Sequence, residues 1–93
     1  MILNNAILRR VAAQSAAFRR GEIDLPSLQH EFAAAMGALE GDVPKSVRDA
    51  VFRGEAEMDE ARFLWSGAEQ RDHVLKTLDT FESIIAEAER SIS

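Results

Sequence analysis

The amino-acid sequence predicts an all-α fold, a single antiparallel four-helix bundle spanning residues 1–93. Three observations lead there. Apolar residues return at gaps of three and four in four consecutive segments, the signature of one buried face on a helix of 3.6 residues per turn. The five Gly and two Pro fall mostly where one segment gives way to the next. No segment alternates apolar and polar residues, and no Asn-Gly or Asp-Gly pair offers a hairpin turn. With 46% apolar residues, the composition is that of a folded domain with a modest core.

The first helix is expected over about residues 4–20. Ile7 or Leu8, Val11, Ser15 and Phe18 form its stripe. Arg19 and Arg20 suit the negative end of the helix dipole, and Gly21 supplies the residue that ends a helix in a left-handed turn. The second helix is expected over 25–40. Asp24 is placed to cap it, and Pro26 fits a first turn where its missing N–H is not needed. Leu25, Leu28, Phe32, Ala35 and Leu39 make the buried face, Gly37 weakens the interior slightly, and Gly41 is the expected stop.

Asp42-Val43-Pro44 should open the third helix, over 44–65, by the same cap-and-proline logic. Ser66 and Glu69 match a capping box and should open the fourth, over 67–90. There Val74, Leu78, Phe81, Ile85, Ala88 and Ile92 fall on gaps of 4, 3, 4, 3 and 4, the cleanest seam in the chain. All connections are short, so consecutive helices should pack as antiparallel neighbours.

The third helix carries two apolar stripes. Val47, Val51, Gly54, Met58, Ala61 and Trp65 form the first, with Gly54 permitting close helix approach. Phe52, Ala56 and Phe63 form a second, interrupted by Asp59. A helix on the outside of a bundle needs one such face. Two mean either that it packs on both sides or that Phe52 and Phe63 anchor a partner. Around them stand Asp49, Glu55, Glu57, Asp59 and Glu60. They form either a solvated face, with Arg53 and Arg62 placed to pair with Glu57 and Asp59, or an acidic rim around an aromatic anchor. The candidate protein-binding residues are thus Asp49, Phe52, Glu55, Glu57, Asp59, Glu60 and Phe63.

Charge narrows the class of partner. The formal net charge is −5, yet residues 1–21 hold Arg9, Arg10, Arg19 and Arg20 and no acid, while all 16 acids lie beyond them. An acidic body repels nucleic-acid phosphates and attracts basic proteins. The four Arg are expected to pair with that acidic remainder. An acid-free, Arg-rich opening also fits a transit peptide, but its helical period and its Gly stop favour an integral first helix. No Cys is present, which excludes disulfides and thiolate metal sites and suits a cytoplasmic protein. No apolar run is long enough for a membrane span.

Catalytic, cofactor and metal templates find no match. The glycines form no phosphate-binding loop, and neither His30 nor His73 has a Glu three residues before it, as di-iron bundles require. Glu69, Asp72 and His73 are the nearest approach to a metal-binding helix face. No catalytic residue, cofactor or metal is therefore expected.

A basic first helix ended by Gly21-Glu22-Ile23, followed by an acidic body with a long acidic third helix, resembles the small helical bacterial immunity proteins of the colicin D immunity type. The likeness lies in architecture and charge along the whole chain, with no motif that transfers a residue's role. It implies a non-enzymatic inhibitor, immunity- or antitoxin-like, that neutralises a basic protein such as a toxin or nuclease domain by direct binding. The alternative expectation is a self-associating structural or regulatory domain, a homodimer buried through Phe52 and Phe63.

Overall fold

The computed structural model describes residues 5–39 and 43–92. It contains four helices: α1 (Ala6–Arg19), α2 (Leu25–Ala38), α3 (Lys45–Leu64) and α4 (Gly67–Ile92), with no strand among the described residues. They form the all-α four-helix bundle that the periodicity predicts. The chain-order neighbours α1–α2, α2–α3 and α3–α4 all pack against one another. Cross-links join the neighbours: Arg10 meets Glu31, Glu57 meets Thr77, and Gln29 near the start of α2 meets Asp59 and Arg62 near the end of α3, as antiparallel helices do. The bundle closes between α1 and α4, where Arg19 reaches Asp79 and Glu82.

Local chemistry sets the helix ends. Asn5 caps α1 with its side-chain oxygen, which accepts from the N–H groups of Ile7 at 2.9 Å and Leu8 at 3.2 Å. The helix is described from Ala6, and the start at about residue 4 expected from the sequence lies outside the described residues. At its other end Gly21 takes φ +77°, and the N–H groups of Gly21 and Glu22 donate back to the carbonyls of Phe18 and Ala17. That double bond pattern is a Schellman cap. From α4, Arg71 adds a donor to the Arg19 carbonyl at 2.8 Å and lies over the Phe18 ring. Asp24 caps α2 by accepting from the Ser27 N–H at 2.9 Å. The expected stop at Gly41 and cap at Asp42 lie outside the described residues. Pro44 stands at the N-cap position of α3 without a side-chain cap bond.

The predicted capping box at Ser66 and Glu69 does not form. Among the described residues the Ser66 hydroxyl caps nothing, and Gly67 opens α4 at φ +56°. The corner is tied instead by Gln70, whose Nε2 donates to the carbonyls of Trp65 at 2.9 Å and Ala61 at 3.2 Å. Both carbonyls belong to the end of α3, where donors within the helix run out.

The core follows the predicted stripes. Leu8, Val11, Ser15 and Phe18 are buried from α1, and Leu25, Leu28, Phe32 and Ala35 from α2. Val47, Val51, Gly54, Met58 and Ala61 are buried from α3, and Val74, Leu78, Phe81 and Ala88 from α4. Ile85 is half-buried, and the side chain of Ile92 lies outside those described. Ser15 is harmless in this company because its hydroxyl donates to the Val11 carbonyl at 2.9 Å. At the centre the Phe32 ring meets Phe81 edge-on, with centroids 5.1 Å apart. Gly54 lets α3 close onto Phe32, since a Cβ there would stand 2.8 Å from Phe32 Cε2.

Candidate protein-docking face

Only the first stripe of α3 is needed to build the bundle. The second is left in solvent, with Phe52 61% exposed and Phe63 82%, and Leu64 beside them is 60% exposed. Lys45, Asp49, Phe52, Ala56, Asp59 and Phe63 follow gaps of 4, 3, 4, 3 and 4, and all six are exposed. They therefore form a seam along the outside of α3 with the geometry of a helix-packing surface and no helix on it. The second stripe is therefore not core, since Phe52 and Phe63 face solvent. Isolated exposed apolar residues are ordinary, and large ones grouped on one helix are where an interaction surface is sought.

Of the predicted acids, Asp49 and Asp59 belong to the seam, and Glu55, Glu57 and Glu60 stand beside it. Glu55 and Asp59 lean toward α2, where both accept from Gln29 Nε2 at 3.0 Å. The Gln29 carbonyl oxygen accepts in turn from Arg62 at 2.8 Å. Gln29 is almost fully buried, and every hydrogen-bonding atom of its amide is in use. Its neutral amide orients two carboxylates without cancelling their charge. Arg62 thus approaches Asp59 through Gln29 and not as the direct i,i+3 pair expected.

On the other flank Glu57 and Glu60 line a groove of about 340 Å³ between α3 and α4, with Trp65, His73, Lys76 and Thr77. Glu57 accepts from the Thr77 hydroxyl at 2.8 Å rather than pairing with Arg53. Among the described residues Arg53 enters no ion pair, and Glu60 has neither ion pair nor hydrogen bond. Asp49 pairs with Lys45 at 2.8 Å, and that ammonium holds its carboxyl below the ordinary aspartate range.

The Arg residues of α1 are largely committed inside the chain, as expected. Arg10 forms a two-point pair with Glu31, Arg19 bridges Asp79 and Glu82, and Arg20 pairs with Glu22. Glu31 and Glu22 are both held below the ordinary glutamate range by those guanidinium hydrogen bonds. None of these Arg pairs engages an acid of α3; there Asp49 is paired with Lys45, Glu55, Asp59 and Glu57 accept neutral hydrogen bonds, and Glu60 is uncommitted.

Two features of the site had no clear signal in the sequence. Gln29 reads as a surface polar residue next to Leu28, yet it organises the α2 flank. His73 reads as a lone helix-surface histidine. In the structure its ring stacks on Trp65 with centroids 3.6 Å apart and planes 17° from parallel. Asp72 and Glu69 point elsewhere into solvent, and no group of three His, Asp or Glu side chains converges among the described residues. No helix is long and apolar enough to cross a membrane among those residues. Comparison of the chain with protein-family models, with curated protein sequences and with solved structures gives no match.

Proposed function

We propose that this chain is a non-enzymatic protein-binding module that docks a basic protein on the outer face of α3, acting as an immunity- or antitoxin-like inhibitor. One observation carries the reading: Phe52 and Phe63 stand in solvent on a single helix seam, flanked on both sides by carboxylates. Carboxylates at the rim speed association with a cationic surface and make it sensitive to salt. Aromatic anchors that become buried at the centre then slow dissociation. The resemblance to colicin D immunity proteins in architecture and charge agrees with this division of labour.

Self-association through the same aromatics is the competing reading, and the position of Asp59 weighs against it. Asp59 lies in the seam between Phe52 and Phe63. A second copy docked antiparallel, Phe52 against Phe63, would set two Asp59 residues roughly 4–5 Å apart along the helix axis. Like charges buried together are costly, whereas a basic partner would pair them.

Affinity capture from the source cell with the wild type and with Glu57→Lys/Glu60→Lys, at low and high salt, tests the proposal. A basic protein held by the wild type, released by salt and lost by the variant is the expected result. A partner captured equally by both proteins at both salt concentrations would refute the electrostatic docking face.

A further inference from the structure

The groove between α3 and α4 has a composition that the seam lacks: an indole beside two carboxylates. Trp65 is the single tryptophan of the chain. It stands at the end of α3 in extended backbone, φ −134° and ψ 163°, so its side chain leaves the helix stripe and reaches α4. Its position is fixed three ways. Its backbone N–H donates to the Ala61 carbonyl, its own carbonyl accepts from Gln70, and its ring lies on His73. Glu57 accepts from the Thr77 hydroxyl, whose single proton also lies within reach of the His73 carbonyl at 3.1 Å. Glu60 is exposed at the groove and uncommitted. Lys76 stands at the groove too, but forms no ion pair with either acid among the described residues.

We infer that this groove receives an arginine side chain of the basic partner, with the guanidinium placed against Trp65 and hydrogen-bonded by Glu57 and Glu60. The inference rests on the reading of α3 as the docking face and specifies the group that face selects. Three properties favour guanidinium over ammonium. It is planar and stacks on an indole, its fork of N–H donors matches carboxylates, and it is weakly hydrated, so entering a groove strips less water from it. The volume of about 340 Å³ admits one long side chain and is too small for a folded element. Trp65 is already held before the partner arrives, so its side chain needs little ordering on binding.

The sole tryptophan is also the reporter. The intact protein is titrated at low salt with capped hexa-arginine and, separately, capped hexa-lysine. Trp65 fluorescence, its indole N–H resonance and calorimetry are followed together. Hexa-arginine should move both Trp65 signals saturably and bind about fivefold or more tighter than hexa-lysine. Glu57→Gln/Glu60→Gln, with its circular dichroism unchanged, should weaken hexa-arginine about fivefold or more. Two outcomes overturn the groove assignment while leaving the docking face on α3 standing: calorimetric binding that leaves Trp65 unmoved, or equal affinity for the two peptides. Absence of any binding to either peptide overturns the groove assignment also. The docking face itself is judged separately, by whether partner capture survives Phe52→Ser/Phe63→Ser.

Discussion

Replacing Gly54 by Ala probes the close approach of α3 to Phe32. Taken alone, Gly→Ala inside a helix gains about 1 kcal/mol in propensity. Here the new Cβ would stand 2.8 Å from Phe32 Cε2 and 3.1 Å from Cδ2, against 3.4–4 Å for ordinary contact. Phe32 cannot easily recoil, because it is fully buried and its ring rests edge-on against Phe81. Overpacking of this kind costs about 1–3 kcal/mol. The packing loss therefore wins, leaving a net destabilisation of about 1 kcal/mol. In a domain of this size that lowers Tm by about 4–8 °C. Gly37→Ala is the internal control. Gly37 is helical and exposed, and a methyl group added there meets nothing within 4 Å, so the same change should raise stability by about 0.5 kcal/mol in the last turn of α2. Urea unfolding of both variants gives the signs directly. If Gly54→Ala stabilises as much as Gly37→Ala, the close approach of α3 to Phe32 is refuted.

Other perturbations separate stability from recognition. Phe52→Ser/Phe63→Ser removes apolar groups that already face water, so unfolding should change by less than about 0.5 kcal/mol per site in a urea titration; a loss above about 2 kcal/mol would mean that these rings are core. Gln29→Ala removes the amide that ties α2 to Glu55, Asp59 and Arg62, and calorimetry should show a loss of about 1–2 kcal/mol; an unchanged Tm would show that the network holds nothing together. Acid should lower stability through the carboxyls of Asp24, Glu31 and Asp49. Asp24 is lowered by Ser27, Glu31 by Arg10 and Asp49 by Lys45, so each stays ionised in the folded state below its unfolded value. The unfolded chain then takes up protons first. The stabilisation is present above the ordinary carboxylate range near pH 4 and is lost as pH falls through the folded values. Urea midpoints that stay level from pH 5 to 2.5 would contradict this.

The bundle was legible in the sequence because burial on a helix leaves a period. The four stripes, the Gly21 stop and the Asp24 cap are local signals, and they appear where the spacing puts them except that Leu39, Trp65 and Ile85 are only half-buried. The capping box failed because Ser66-x-x-Glu69 is a pattern of side chains, whereas the corner is governed by the backbone of Gly67 and by Gln70 reaching back five and nine residues. The second stripe of α3 could be seen, but its exposure could not. Whether Phe52 meets another helix depends on where α1, α2 and α4 lie, which is tertiary information. Gln29 and the Trp65–His73 stack were invisible for the same reason, since each joins residues from different helices or the corner between them.

The docking face is most directly tested by photo-cross-linking in the source cell, with benzoylphenylalanine at position 52 or 63 and, as control, at the exposed Ala13 of α1. A basic protein should be trapped from positions 52 and 63 and not from position 13. Adducts that contain only a second copy of this chain, or equal trapping from all three positions, would contradict a basic partner on the outer face of α3.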